Sequence, residues 1–221
     1  MAKWISTLRV TPPAIRSALA GTRPALISTI PPPWAERARW MEKQIGLQSA
    51  VAELKRMVQG GCAMLARRAT PADSGAIAHI YNQGIEDRVA TFETRPRSAD
   101  DVLAWFDDIH PIVVVEESGQ VIAFGATFSY RARECYAGIA EASLYVSRQA
   151  RGRGVGRVAM SALLLAAKEA GFWKLLSRVF VENQASRQLI RSLGFREVGV
   201  YEKHGKLDGV WRDVVIVERL L

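Results

Sequence analysis

The densest chemistry in the sequence lies between Leu144 and Arg157, where a strand-like segment runs into glycines at alternate positions, 152, 154 and 156, and then into a helix-like segment. Glycines there let the backbone approach a ligand closely. The unpaired N–H groups and the positive end of the helix dipole favour an anion, phosphate foremost. A bare strand-to-helix turn uses the same residue types, so the loop by itself fits both readings. Two better-known phosphate loops are excluded by spacing. No Gly-x4-Gly-Lys-Ser/Thr run occurs, and a dinucleotide fingerprint requires glycine at 157, which is Arg, and an acid about 20 residues on, where Glu182 comes too late. Three residues before Leu144 stands Glu141, whose carboxylate is either a solvated surface group or a base positioned beside the loop. Cys62 and Cys135 have neither metal-ligand nor disulfide-framework spacing, so free thiols, a reducing compartment and no metal are expected. His79 and His110 fit structural positions, the latter beside Pro111 at an expected helix end.

The elements that must carry these residues have clear signals after Arg68. Thr70, Pro71 and Asp73 open a helix whose apolar face is Ile77, Ile80 and Tyr81. Ser98 opens a second, with Val102, Trp105, Phe106 and Ile109 at i, i+3, i+4 and i+7. Strands are expected at 112–116 and 120–126, joined by Ser118-Gly119, and at 139–146. A helix over 154–170, a strand at 175–181, a helix over 184–193 and strands near 197–203 and 210–220 complete the order. Helices, antiparallel strands and one β-α-β step together give a mixed α/β layer structure.

At 221 residues, with 49% hydrophobic and 24% charged residues, the chain has the composition of one globular domain plus an appendage. No apolar stretch approaches the roughly 18 to 20 residues that cross a bilayer, so no membrane association is expected. The net charge of +8 is concentrated at one end: residues 1–66 hold nine Lys/Arg against three acids, leaving only +2 for the rest. A body so nearly balanced lacks the broad basic face that nucleic acid requires. The first 35 residues contain no acid and include Pro31-Pro32-Pro33, a composition shared by transit segments and disordered arms. A helix is expected over 34–59, stopped by Gly60-Gly61. Residues 1–63 thus form an N-terminal extension and 64–221 the domain; Met64 is also a candidate start of translation.

One further spacing brings the pieces together. Arg151-x-x-Gly154-x-Gly156, followed some 30 residues later by Asn183, Ser186 and Leu193-Gly194-Phe195, resembles the GCN5-related N-acetyltransferases, the GNAT superfamily. The resemblance spans about 155 residues and implies the GNAT fold: a twisted mixed sheet of six to seven strands flanked by about four helices. It further implies acetyl-coenzyme A as co-substrate, held by Leu144, Tyr145, Val146, Arg151, Gly152, Arg153, Gly154, Val155, Gly156, Asn183 and Ser186. On the residues alone, Asn183 and Gly194 also fit a helix cap and a helix stop.

Ile80-Tyr81-Asn82, Thr91-Phe92-Glu93-Thr94, Glu141…Tyr145-Val146 and His204-Gly205…Trp211-Arg212-Asp213 resemble the phosphinothricin N-acetyltransferase group. The 84–93 and 205–211 runs resemble its arsinothricin-acetylating members, and methionine sulfoximine is a neighbouring substrate. That group implies Glu141 as general base and an anionic acceptor held by Arg88, Phe92, Phe128, Arg131 and Arg133, for guanidinium forks match tetrahedral oxyanions. In many relatives a Tyr or His on the last helix protonates the departing thiolate; here that position is Ile190, which leaves Tyr145, Tyr201, His204 and solvent open. The same resemblance implies a cytoplasmic homodimer that confers resistance by blocking a toxic amino acid. Two alternatives are a GNAT acting on another amine, such as a polyamine or a protein N-terminus, and a non-catalytic coenzyme A sensor.

Overall fold

The computed structural model describes residues 64–221; the expected 34–59 helix and Cys62 lie outside the described residues. Strand β1 (Met64–Arg68) has no counterpart in the sequence reading, because five residues of MLARR carry no clear alternation. Pairing creates it: β1 lies antiparallel against β2 (Ile112–Glu117). Arg67 locks the edge, with Nη1 2.8 Å from Asp73 Oδ2 and Nε 2.9 Å from Glu116 Oε2. Residues Pro71–Asp73 form a single 3-10 turn, and the Thr70 amide donates to Asp73 Oδ2 at 2.7 Å. From this turn rises α1 (Ser74–Asp87), burying Ile77, Ala78, Ile80 and Ile85 and ending at Arg88 with φ 57°.

The second helix is shorter than its periodicity predicts. α2 covers only Ala99–Leu103, capped by Ser98 Oγ, which accepts from the Asp101 amide at 3.1 Å. Val102, Trp105 and Phe106 pack as the spacing predicts, but Ile109 is 64% exposed. The cause is local. Asp107 Oδ1 accepts from the amides of Ile109 and His110 at 3.0 and 2.8 Å, turning the chain away from a helix before Pro111. His110 therefore faces the Asp107 carboxylate, 2.6 Å away, rather than a helix end.

Ser118 and Gly119, both at positive φ, join β2 to β3 (Gln120–Ser129) as a tight hairpin requires. β3 pairs antiparallel with β4 (Ile139–Val146). The chain then crosses through α3 (Val155–Glu169) to β5 (Lys174–Phe180), parallel to β4, and continues through α4 (Gln184–Ser192) to the hairpin of β6 (Arg196–Leu207) and β7 (Val210–Leu220). The sheet order is β1-β2-β3-β4-β5-β7-β6, a mixed seven-stranded sheet with four helices in the described residues. Alternation along β2 sends Val113 toward α3, with Met160, Leu163 and Leu175, and Val114 toward α1, with Ile77, Ile80 and Phe124. Both sheet faces are thus covered.

The single parallel pairing is short. β4 and β5 are in register only from Ile139/Lys174 to Glu141/Leu176, and beyond that they part. The Ser147 amide donates to Ile122 O at 2.9 Å. By strand alternation the amides of Leu144 and Val146 point the other way, into the gap where β5 has left.

Candidate active site

Three hollows meet where β4 and β5 part. The first is a groove of about 470 Å³ beside the start of α3. Its wall carries most of the residues expected to hold the co-substrate: Leu144, Tyr145, Val146, Arg151, Gly152, Gly154, Val155, Gly156, Asn183 and Ser186. Gly152 and Gly154 have φ of 76° and 81° and leave open space where a Cβ would stand. Gly156 serves packing instead, since a Cβ there would lie 2.9 Å from Leu189 Cδ2. No acid occupies the first turn of α3, so the positive end of the helix is not offset by a side chain of its own. These residues suit a pyrophosphate. Arg153, by contrast, turns away to Glu117 and is not on this wall.

The cations of the groove are tethered. Arg151 Nη1 lies 2.7 Å from Asp87 Oδ2, and its Nε donates to Val146 O at 3.1 Å. Arg148 holds the same carboxylate from the other side at 2.7 Å. Burial pushes the Asp87 carboxyl up, yet the hydrogen bonds from Arg148 and Arg151 outweigh it and leave the group below the usual carboxylate range. Arg157, one residue past the glycine run and unassigned by the sequence reading, also lines the groove and donates to Ser192 Oγ at 2.8 Å. Asn183 caps α4, its Oδ1 accepting from the Ser186 amide at 3.1 Å, while its Nδ2 donates to Val89 O at 3.0 Å. It thereby ties the loop after α1 across the groove.

The second hollow, about 290 Å³, lies on the α1 side of the sheet and is lined by Tyr81, Arg97, Trp105, Phe124, Phe128, Glu141, Ser143 and Tyr145. Glu141, Ser143 and Tyr145 alternate along β4 and so share one face. The Glu141 Oε1 is 3.0 Å from Arg178 Nη1 of β5. A third, smaller hollow occupies the gap itself and includes Ser143, Leu144, Tyr145, Arg178, Asn183 and Ile190. Tyr145 lines all three. Its ring stacks on Phe124 at 5.4 Å and meets Tyr81 edge-on at 4.8 Å, and burial pushes its phenol well above the ordinary tyrosine range.

Several expected site residues are not brought to these walls. Of the five assigned to the acceptor, only Phe128 lines the cavity. Arg88 turns inward, donating to Ile85 O at 3.2 Å and pairing with Asp208 at 3.1 Å, because it closes α1 in a left-handed conformation. Phe92 packs on Phe180 at 4.8 Å and covers Gly205, where a Cβ would lie 2.8 Å from its ring. Arg131 and Arg133 are exposed on the loop after β3, the first with its guanidinium 5.2 Å from the Tyr130 ring centroid. The Tyr201 and His204 rings meet at a tilt, 5.2 Å apart on β6, and line none of the three hollows. Trp173 and Trp211 are both about half exposed. Cys135 is an exposed free thiol. Tyr81 and Trp105, read from the sequence only as apolar helix faces, also line the walls, and Arg97 and Arg178 join them with nothing in their local sequence to mark them. Arg157, adjoining the glycine run, could have been found as one more cation in the first helical turn.

Among the described residues no helix is long and apolar enough to cross a membrane, and no cluster of His, Cys, Asp and Glu could hold a metal. Residues 79–195 match the acetyltransferase (GNAT) family. The phosphinothricin N-acetyltransferase of Alcaligenes faecalis is 32% identical over 166 residues, covering 72% of this chain and 84% of its own. The L-methionine sulfoximine/L-methionine sulfone acetyltransferase of Salmonella typhimurium is 30% identical over 159 residues, 70% of this chain and 93% of its own. Among solved structures, a phosphinothricin acetyltransferase from Sinorhizobium meliloti in complex with acetyl-coenzyme A superposes with a TM-score of 0.67 at 31% identity, covering 72% of this chain and 88% of that one. A ribosomal-protein-alanine N-acetyltransferase from Brucella melitensis superposes with a TM-score of 0.68 at 32% identity, covering 71% and 99%.

Proposed function

Since the chain belongs to the acetyltransferase (GNAT) family, we propose that it acetylates the α-amino group of a small anionic amino-acid analogue of the phosphinothricin, methionine sulfoximine or arsinothricin type. The observation that carries this is the meeting of the anion-binding groove and the aromatic cavity at Tyr145, across the gap between β4 and β5. Bound acetyl-coenzyme A supplies an activated thioester.

The chain's own residues supply the rest. Amides at the start of α3, with Arg151 and Arg157, hold the pyrophosphate, Arg151 exchanging its Asp87 partner for it. The Leu144 and Val146 amides face the gap and would stabilise charge developing on a carbonyl oxygen there. An α-amino group is mostly protonated at neutral pH, so a base must take its proton, and Glu141 is the one carboxylate on the cavity wall. Tyr145 lines every hollow and so lies beside a departing thiolate, but burial pushes its phenol up and makes it a weak acid, so solvent shares the role of proton donor. Phe128 forms the cavity wall, and Arg131 and Arg133, three and five residues further on, would meet anionic acceptors at the mouth.

A protein N-terminus is the second reading, favoured by the Brucella neighbour's name. Against it stands a cavity of about 290 Å³ with aromatic walls, sized for a single amino acid. The domain is assigned to residues 64–221, with a homodimer, a cytoplasmic location and resistance to the toxic acceptor as accompanying expectations. Thiol release from acetyl-coenzyme A decides among these: turnover with phosphinothricin, methionine sulfoximine or arsinothricin and none with an alanine-terminated peptide is expected. The reverse pattern replaces the acceptor, and acetyl-coenzyme A binding without any turnover replaces the enzyme by a sensor.

A further inference from the structure

We infer that Arg97 is a substrate-binding residue, holding an anionic group of the acceptor opposite Glu141; this rests on the acetyltransferase reading above. The cavity wall is aromatic apart from Ser143, one acid, Glu141, and one base, Arg97. That pair of opposite charges matches an amino acid, whose ammonium faces a carboxylate while its own carboxylate or side-chain oxyanion faces a guanidinium.

Arg97 is built into its place. The Asn82 side chain of α1 grips its main chain at both polar atoms, accepting from the Arg97 amide at 2.8 Å and donating to its carbonyl at 2.9 Å. The same Asn82 follows Tyr81, another wall residue, so one turn of α1 sets both. Glu93 takes one edge of the guanidinium at 2.7 Å, and the side chain lines the cavity with further donors to spare. A guanidinium with five donors in that setting is short of acceptors, and an oxyanion in the cavity makes up the shortfall. Arg131 and Arg133, on an exposed loop, have no comparable anchorage.

Two oxyanions could be the guest, the α-carboxylate or a side-chain phosphinate, and the test separates them. Steady-state kinetics with phosphinothricin and with methionine sulfone, whose side chain is uncharged, would compare the wild-type chain with Arg97→Gln, Arg97→Lys and Glu93→Gln, with calorimetric titration of acetyl-coenzyme A reporting on the fold. Arg97→Gln is expected to raise KM for phosphinothricin by about 10- to 100-fold with acetyl-coenzyme A affinity unchanged, and Arg97→Lys to recover part of it. Glu93→Gln, which removes the strut and keeps the cavity cation, is expected to stay within about threefold. An equal loss with methionine sulfone assigns the α-carboxylate, and no loss assigns the phosphinate; both support the inference. Unchanged KM for both acceptors in Arg97→Gln, or the same loss in Glu93→Gln, overturns it while leaving the reaction intact. A wild-type chain that binds acetyl-coenzyme A and acetylates neither compound removes the reaction itself, and Arg97's role with it.

Discussion

The groove beside α3 and the cavity below α1 are made in different ways. The groove is mostly main chain: Gly152 and Gly154 at positive φ, the open first turn of α3, and strand amides facing the β4–β5 gap, all from one stretch between Leu144 and Arg157. The cavity is side chains: Tyr81 from α1, Arg97 and Trp105 from the segments around α2, Phe124 and Phe128 from β3, and Glu141, Ser143 and Tyr145 from β4. A backbone site tolerates side-chain change so long as the glycines and the helix start survive. A side-chain site can change its guest by single substitutions, which is how one scaffold comes to serve different acceptors.

Four experiments test that division. Glu141→Gln strikes the cavity alone: kcat should fall by about 100- to 10,000-fold, measured by thiol release, with acetyl-coenzyme A affinity unchanged. A loss of affinity of similar size would show that the two sites are not separable. Next in size is the foundation that both share, the turn at the base of α1. Hydrogen bonds from Arg67 hold the Asp73 carboxyl at about 2 against burial, down from 3.8. A depressed carboxylate stabilises the fold fully above the unfolded value, and that stability, on the order of 2 kcal/mol, is lost as pH falls from about 4 through 2. Asp73→Asn should therefore lower Tm by roughly 4 to 8 °C at pH 7 and flatten the acid limb of the stability curve, followed by circular dichroism.

Gly154→Val reverses the first experiment. A β-branched residue forced to φ 81° costs about 1 to 2 kcal/mol locally. Acetyl-coenzyme A affinity should drop by about 10-fold in calorimetric titration, with the acceptor KM, at saturating acetyl-coenzyme A, little changed. Smallest is Arg131→Ala or Arg133→Ala, which should raise acceptor KM by no more than about fivefold, as befits exposed charges. A larger effect from either would move the acceptor's anchor from the wall to the loop.

The same division explains what could be foreseen. The glycine run, Asn183 as a cap and the alternation of Glu141 with Tyr145 are short-range patterns, and each element that carries them lies close to its expected position. The expected helix at 98–109 failed at its second turn because Asp107 offered the backbone a competing turn, which apolar periodicity does not register. β1 escaped notice because its order comes from Val113–Glu117, some 50 residues away. Arg88 and Phe92, named for the acceptor, were claimed instead by Asp208 and by Phe180 with Gly205, partners that local sequence cannot announce.

What the sequence determined by itself was the glycine-rich turn between β4 and α3, which needs only contiguous residues, since glycine conformations and the helix start are set within a few bonds of each other. Which side chains line the cavity below α1 was decided by the tertiary structure alone. Arg97 reaches that cavity because Asn82, 15 residues earlier, clamps its main chain. Side-chain convergence depends on packing between distant segments, and packing is a property of the whole fold.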